Sequence, residues 1–563
     1  MLPKSKQTLL AVSAFFIVAF GQPAWSWILG ILSAAGGYAL FWRVLLCYPQ
    51  PFQRFWLSTV WFTTVQLVQL SWLISHPYWY IYGVYFALSF ALGLQFGLLG
   101  ILFYPDKIRK ASQIVLIAAT WTIMEWSRLF FMSGFSWNLA GLALSGNVVS
   151  LQTASLGGVF ALTFIVILTN LLALNAYLSR FHFFPIALWL TAALFPYFYG
   201  GIYFFYHNQQ MAKNEGSFET ILVQTAFPAE EALQLHTHDE WLNTVFNEWK
   251  QILQITKPFK TDKKPDLIAF PEAVVPFGTY SFVYPYEQVK TVFQSIYGPE
   301  SLKTLPCLEL PLAIKETTGT QWYVNNAFWI QGIANYFDST VIAGLEDAEH
   351  VDGICEHYAA AIYFKPKSPN SQEPFTASRY AKRVLVPMGE YIPLDFFKNL
   401  AAQYGVAGSF TPGKKAEVWN CKNVPIGISI CYEETFGNLM RENKQQGAQM
   451  LLNLTSDVWY PDSSLARQHL EHARLRTVEN GIPLIRACNT GITCAVDSLG
   501  RDVAILGKND GESQKLSASL RTKVPLYTYP TLYSRFGDIP IITLCFFILF
   551  SNFIRARGIK FFS

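Results

Sequence analysis

Charge is scarce in this chain. Only 14% of its 563 residues are Asp, Glu, Lys or Arg, and 52% are hydrophobic. A soluble globular protein carries roughly 25% charged residues, so the deficit implies that much of the chain faces lipid. The formal net charge of +4 is small for this length and gives no reason to expect a nucleic-acid partner. None of the eight cysteines (Cys47, Cys307, Cys355, Cys421, Cys431, Cys488, Cys494 and Cys545) falls in a C-x-x-C pair, which argues against a zinc ribbon or a thioredoxin-like site. Metal-ligand spacing and a Gly-rich phosphate loop are also missing, so no cofactor is implied. Six cysteines lie in the polar part of the chain, and a disulfide among them stays open.

What the chain has instead is long apolar runs, near residues 8–22, 25–46, 56–74, 79–103, 113–131, 157–178 and 184–206, with an eighth near 539–555. A bilayer core about 30 Å thick needs roughly 20 apolar residues per helix, and most of these runs qualify. Gly21-Gln22-Pro23-Ala24 is a poor cleavage site, so the first run reads as a retained helix. Lys4 and Lys6, Arg43 and Arg54, Lys107, Arg109 and Lys110, Arg180, and Arg555, Arg557 and Lys560 all fall on one set of alternate loops. The other loops, His76-Pro77-Tyr78 and Met132 to Ser155, contain no Lys or Arg. The positive-inside rule then puts both termini in the cytoplasm. Residues 1–206 form a membrane domain of seven helices, 207–537 an extracytoplasmic domain, and 538–563 a last helix with its tail. The aromatic loops His76 to Tyr80 and Ser133 to Asn138 suit the membrane interface or a lipid-access site. Glu125 and Arg128, one turn apart, read as a local ion pair.

From residue 217 the period changes. Thr220–Gln224, Asp266–Phe270, Val341–Gly344, Val424–Ile430, Gln449–Leu454 and Pro483–Ala487 read as strands, with helices over 239–255, 433–445 and 464–480. Alternation of this kind specifies an α/β domain with a substantially buried sheet, and chemistry gathers at the strand ends. Three such ends carry reactive side chains: Phe270-Pro271-Glu272, the stretch from Tyr380 through Lys382 to Pro393, and Gly427 through Cys431 to Glu434. Cys431 ends a strand and precedes a helix, where free N–H groups and the helix dipole would favour a thiolate. Glu272 can act as its general base, and Lys382 can sit beside an oxyanion. Taken singly, each has a plainer reading: a buried structural cysteine, a strand-end carboxylate, a surface lysine.

Glu, Lys and Cys in this order, each in its own context, resemble the nitrilase (carbon–nitrogen hydrolase) superfamily across about residues 218–525. The most specific stretch is Lys382 with Val384-Leu385-Val386-Pro387-Met388-Gly389-Glu390-Tyr391-Ile392-Pro393. Further matches are Leu451 to Tyr460, Gln468-His469, Arg476, Glu479-Asn480-Gly481 and Asn489-Thr490-Gly491. Together with the membrane runs these look like the apolipoprotein N-acyltransferase branch. The resemblance implies an αββα sandwich, with Glu272 as general base, Lys382 as oxyanion stabiliser and Cys431 as nucleophile. Glu390 would support them, and Tyr432 and Glu433 would shape the acyl pocket or orient substrate; the plainer roles are packing for Tyr432 and helix capping for Glu433. The implied reaction carries a fatty acyl chain from a phospholipid, through a Cys431 thioester, to the α-amino group of a diacylglyceryl-cysteine on an apolipoprotein, at a bacterial inner membrane with the catalytic domain in the periplasm. The chain departs from the family at Met388, at Tyr460-Pro461-Asp462, and at Phe227-Pro228-Ala229-Glu230-Glu231-Ala232-Leu233, which lacks the family's early tryptophan. Two other readings use the same residues differently: a membrane-tethered amidase with water as second nucleophile, and a transporter or scaffold whose polar domain only binds lipid.

Overall fold

The computed structural model describes residues 2–104, 106–229, 233, 235–317, 319–368, 375–392, 409–507 and 513–556. Glu230, Glu231, Ala232, Pro393, Arg557 and Lys560, used above, lie outside the described residues. The chain forms two compact units. One holds the chain up to Lys213 with Tyr460–Gly481 and the segment from Tyr529; the other holds Asn214–Trp459 with Ile482–Thr528. This division differs from cuts at 206 and 537, because the segment after Trp459 packs with the helices.

In the helical unit, helices occupy Lys4–Ala19, Trp27–Leu45, Pro51–Gln69, Ile81–Ile101, Ala111–Ser127, Ala154–Leu178, Phe183–Ala212 and Ile539–Ala556. Among the described residues, Trp27–Leu45, Ile81–Ile101, Ala154–Leu178 and Phe183–Ala212 are long and apolar enough to cross a membrane, and Ile539–Arg555 is a shorter apolar helix. Phe183–Ala212 leaves Phe183, Phe184, Phe198 and Phe205 exposed along its length, an arrangement that water would penalise and lipid accepts. The protein is a membrane protein. Trp27–Leu45 contains a π-helical turn at Ser33–Gly37, and the carboxamide of Asn170 donates to the carbonyls of Ser33 and Ala34 that this turn leaves over. Glu125, fully buried, and Arg128, nearly so, pair at 4.0 Å, and Thr163 Oγ1 (2.6 Å) and the Ala140 N–H (2.9 Å) also donate to the carboxylate.

Helix Leu465–Asn480 belongs to this unit. Gln468 donates to the Gln69 carbonyl, and His469 and His472 meet the Trp137 ring edge-on. Glu479 pairs with Arg476 at 2.8 Å and accepts the Val159 N–H at 3.0 Å. The residues that carry part of the resemblance therefore hold this helix in the helical unit.

The second unit is built on two six-stranded sheets. The strands are β1 (Ser217–Gln224), β2 (Leu267–Ala269), β3 (Tyr284–Pro285), β4 (Ala313–Lys315), β5 (Trp322–Val324), β6 (Thr340–Val351), β7 (Ile354–Phe364), β8 (Ser378–Ala381), β9 (Val418–Cys421), β10 (Val424–Ile430), β11 (Met450–Thr455), β12 (Leu484–Cys488), β13 (Cys494–Val496), β14 (Asp502–Ile505) and β15 (Ala518–Pro525). One sheet runs β15-β1-β2-β6-β7-β8, the other β14-β13-β12-β11-β10-β9, and β3-β5-β4 make a small third. β1, β2 and β6 are parallel, as are β10, β11 and β12. Strand periodicity makes the layers. Phe218 and Leu222 of β1 point into a core shared with Ile426, Ile428 and Ile430 of β10, whereas Ile221 and Val223 point to helices His238–Thr256 and Asn326–Phe337. Helix Gly437–Gln445 lies on the far side of β10, where Gly427 gives room for Asn443. The order is helix, sheet, sheet, helix, as the resemblance implies.

Candidate active site

The residues named from the sequence converge where parallel strands end. β10 delivers Cys431, which has φ +50° and opens a single 3₁₀ turn, Cys431–Thr435. A non-glycine residue in this region is strained and persists only where its surroundings enforce it. Here the Asn453 carboxamide donates to the Cys431 carbonyl at 3.1 Å and to Ser429 Oγ at 3.1 Å from the neighbouring strand β11. The α-helix starts only at Gly437. The expected stabilisation of a thiolate by a helix N-terminus is therefore not what this turn provides. Burial pushes the thiol well above its ordinary range, Glu272 adds to that shift, and Lys382 opposes it.

Glu272 stands just past β2. The Phe270 N–H donates to the Ile342 carbonyl, and the Gly344 N–H to that of Pro271, so β6 holds this turn from both ends. A Cβ on Gly344 would lie 2.5 Å from Glu272 Cα, so only glycine admits the turn so close to β6. Burial raises the Glu272 carboxyl, and Lys382 pulls it back. Lys382 follows β8, its side chain 1% exposed, with Nζ 2.9 Å from Glu272 Oε1 and 2.5 Å from Glu390 Oε1. Burial works against its charge, yet the two carboxylates hold it well above its usual value as a permanent cation. The Val386 N–H donates to Glu390 Oε2 at 2.8 Å and fixes the second carboxylate.

Glu433 and Tyr432, next to the nucleophile, both have buried side chains. The Glu433 carboxylate is fully buried and accepts from the Ile430 N–H (2.8 Å), the Arg383 N–H (2.6 Å), the Val384 N–H (3.2 Å) and the Tyr380 hydroxyl (2.8 Å). It clamps the Lys382 loop to the nucleophile strand. Tyr432 is buried, with its ring edge-on to Phe436 at 4.9 Å. Sequence reasoning gave no role to Asn453 or Tyr380. The signal was present for Asn453, a buried carboxamide in an otherwise apolar strand end.

An elbow cysteine with a buried Glu–Lys–Glu cluster on this sandwich defines the carbon–nitrogen hydrolase class, and a family model described as carbon-nitrogen hydrolase matches residues 232–515. A second model, described as the apolipoprotein N-acyltransferase N-terminal domain, matches residues 13–172. Curated proteins called apolipoprotein N-acyltransferase are similar end to end: one from Chlamydia pneumoniae at 32% identity, covering 95% of each chain, and one from Chlamydia caviae at 31%, covering 94% of each. A Rickettsia prowazekii relative of the same name is 27% identical over 92% of this chain and 94% of its own. The chain belongs to the apolipoprotein N-acyltransferase family.

Proposed function

We propose that this enzyme moves a fatty acyl chain from a membrane phospholipid to the α-amino group of a lipoprotein's N-terminal diacylglyceryl-cysteine, through a thioester on Cys431. The observation that carries the reading is the buried cluster around Cys431, joined in one chain to a helical membrane unit. Glu272 takes the thiol proton as sulfur attacks the ester carbonyl. The oxyanion forms beside the fixed charge of Lys382, which Glu272 and Glu390 keep in place. Collapse breaks the ester C–O bond, Glu272 returns the proton to the departing lysophospholipid, and the thioester remains. The acceptor amine then attacks the thioester carbonyl, and the thiol is regenerated. The catalytic unit is extracytoplasmic in this reading, with both termini inside.

The test is intact-protein mass spectrometry of the detergent-solubilised enzyme after incubation with phosphatidylethanolamine, beside the Cys431→Ala variant. The expected result is a hydroxylamine-sensitive gain of one acyl chain that is missing in the variant and is discharged by a diacylated lipopeptide. Discharge by water alone, with no lipopeptide product, would favour an amidase-type hydrolase.

A further inference from the structure

Helix Phe183–Ala212 is tied to the rest of the helical unit at two levels. Near its start, Trp189 Nε1 donates to the Ala35 carbonyl at 2.8 Å. Further along, Thr153 Oγ1 donates to the Pro196 carbonyl at 3.2 Å. A Cβ on Gly200 would lie 1.8 Å from the Val149 oxygen, so glycine there lets the two backbones touch. The two ties stand about 10–16 Å apart along the helix. Between them the backbone is irregular in both facing helices. Ala34 and Ala35 lie in the π-helical turn Ser33–Gly37, and Pro196 offers no N–H to the Ala192 carbonyl one turn back.

A cavity of about 150 Å³ lies here, walled by Ala34, Ala35, Val166, Ala192, Ala193 and Leu194 among others. Of its twelve lining residues only Thr169 and Tyr197 carry a polar side-chain atom. The carbonyls of Ala34 and Ala35 already accept from Asn170 and Trp189. Water in a cavity needs about two to four polar partners, whereas an apolar cavity of about this size stays dry and takes up small hydrocarbons. Leu194 is 58% exposed and Ile31, also on the wall, is half-buried, so the cavity reaches the lipid-facing surface of the helices.

We propose that this cavity holds a segment of one fatty acyl chain of a bilayer phospholipid. What surrounds helices of this kind is hydrocarbon, and an acyl chain is narrow and flexible enough to enter between them. The ties at Trp189 and at Thr153 with Gly200 hold the walls apart, so the chain enters a preformed space. Once there it completes the packing of helix Phe183–Ala212 between its two ties, and a lipid becomes a structural part of the helical unit. The proposal draws on nothing in the chemistry at Cys431, and it stands or falls separately from the acyl-transfer reading.

The experiment uses the full-length protein in phosphatidylcholine nanodiscs that contain a small fraction of phosphatidylcholine with a photoreactive diazirine on one acyl chain. After irradiation, peptide mass spectrometry locates the adducts. Val166 is 0% exposed, so a chain that stays in the surrounding bilayer does not reach it. The expected result is an adduct on Val166. It is lost in Ala192→Phe, which fills the cavity, and kept in Thr191→Phe, which puts the same ring on the exposed neighbouring position. Adducts confined to exposed positions such as Leu190 and Phe198 would overturn the proposal. A Val166 adduct that survives in Ala192→Phe, or one lost equally in Thr191→Phe, would overturn it too. Should Ala192→Phe not fold, Ala193→Leu supplies the smaller filling: loss of the Val166 adduct supports the proposal and its survival defeats it.

Discussion

At Nζ of Lys382 two carboxylates converge, 2.9 Å and 2.5 Å away, around an ammonium that water does not reach. Removing the cation while keeping the volume leaves Glu272 and Glu390 facing each other, and breaking one side of a buried pair costs about 3–5 kcal/mol. Lys382→Met is therefore expected to lose thioester formation and to be destabilised, with a particular pH dependence. The Glu272 carboxyl is already raised by burial, and Lys382 is what pulls it back. Without the lysine it rises further. A carboxyl raised on folding contributes stability that is fully present below its unfolded value, about 4.3, and is lost as pH rises through its folded value. The gap in thermal stability between wild type and Lys382→Met should thus widen from pH 5 to pH 8, measured in detergent; a constant gap would mean that the charge is compensated elsewhere. Glu272, Lys382 and Cys431 were legible as reactive types at strand ends. The work of Glu433 was not, because its partners Tyr380, Arg383 and Val384 lie about fifty positions away and three of its four bonds come from backbone N–H groups, which any sequence would supply.

Helix Ala154–Leu178 breaks at Gly157 (φ −165°, ψ 24°) and Gly158 (φ 68°, ψ −168°). The second of these conformations is essentially reserved for glycine, and the cost for any other residue is about 1–3 kcal/mol. The kink frees the Val159 N–H, which Glu479 accepts, and a Cβ on Gly158 would sit 2.3 Å from Tyr533 Cε2. Gly158→Ala is expected to lower the thermal midpoint in detergent by several degrees. Gly83→Ala, in the helix Ile81–Ile101 with nothing within 4 Å of its added Cβ, should cost nothing; equal losses would show that the kink is not the cause. Elements of this kind were unevenly legible. The eight apolar runs became helices because a long apolar run satisfies its backbone in lipid in few other ways. Strands β1, β10 and β11 were legible as short apolar runs between turn residues. β7, with Ala359-Ala360-Ala361 at its centre, has no strand-like period, and the helices Tyr286–Tyr297 and Asn326–Phe337 were not distinguished. The order of strands in each sheet depends on pairings between distant segments, which local pattern does not encode.

For the molecule as a whole, the extracytoplasmic placement proposed above for the catalytic unit is argued from charge and connectivity together. Helix Phe183–Ala212 has 30 residues, about 45 Å at 1.5 Å per residue, which exceeds the hydrocarbon thickness. β1 begins at Ser217, so the catalytic unit starts on whichever side that helix exits. Lys107, Arg109, Lys110 and Arg180 lie in loops two crossings apart, and holding them in the cytoplasm obliges Phe183–Ala212 to exit on the opposite side. Cys355 is exposed on β7 and reports on that side without an added reporter. In a Cys307→Ser background, a membrane-impermeant maleimide should modify Cys355 in intact spheroplasts, and the further change Cys355→Ser should remove the label. A cysteine replacing Lys4, the first residue of the first helix, should react only after permeabilisation. The reverse pattern would put the catalytic unit in the cytoplasm, and the alternation of basic loops would then need a different count of crossings between Lys4 and Ser217.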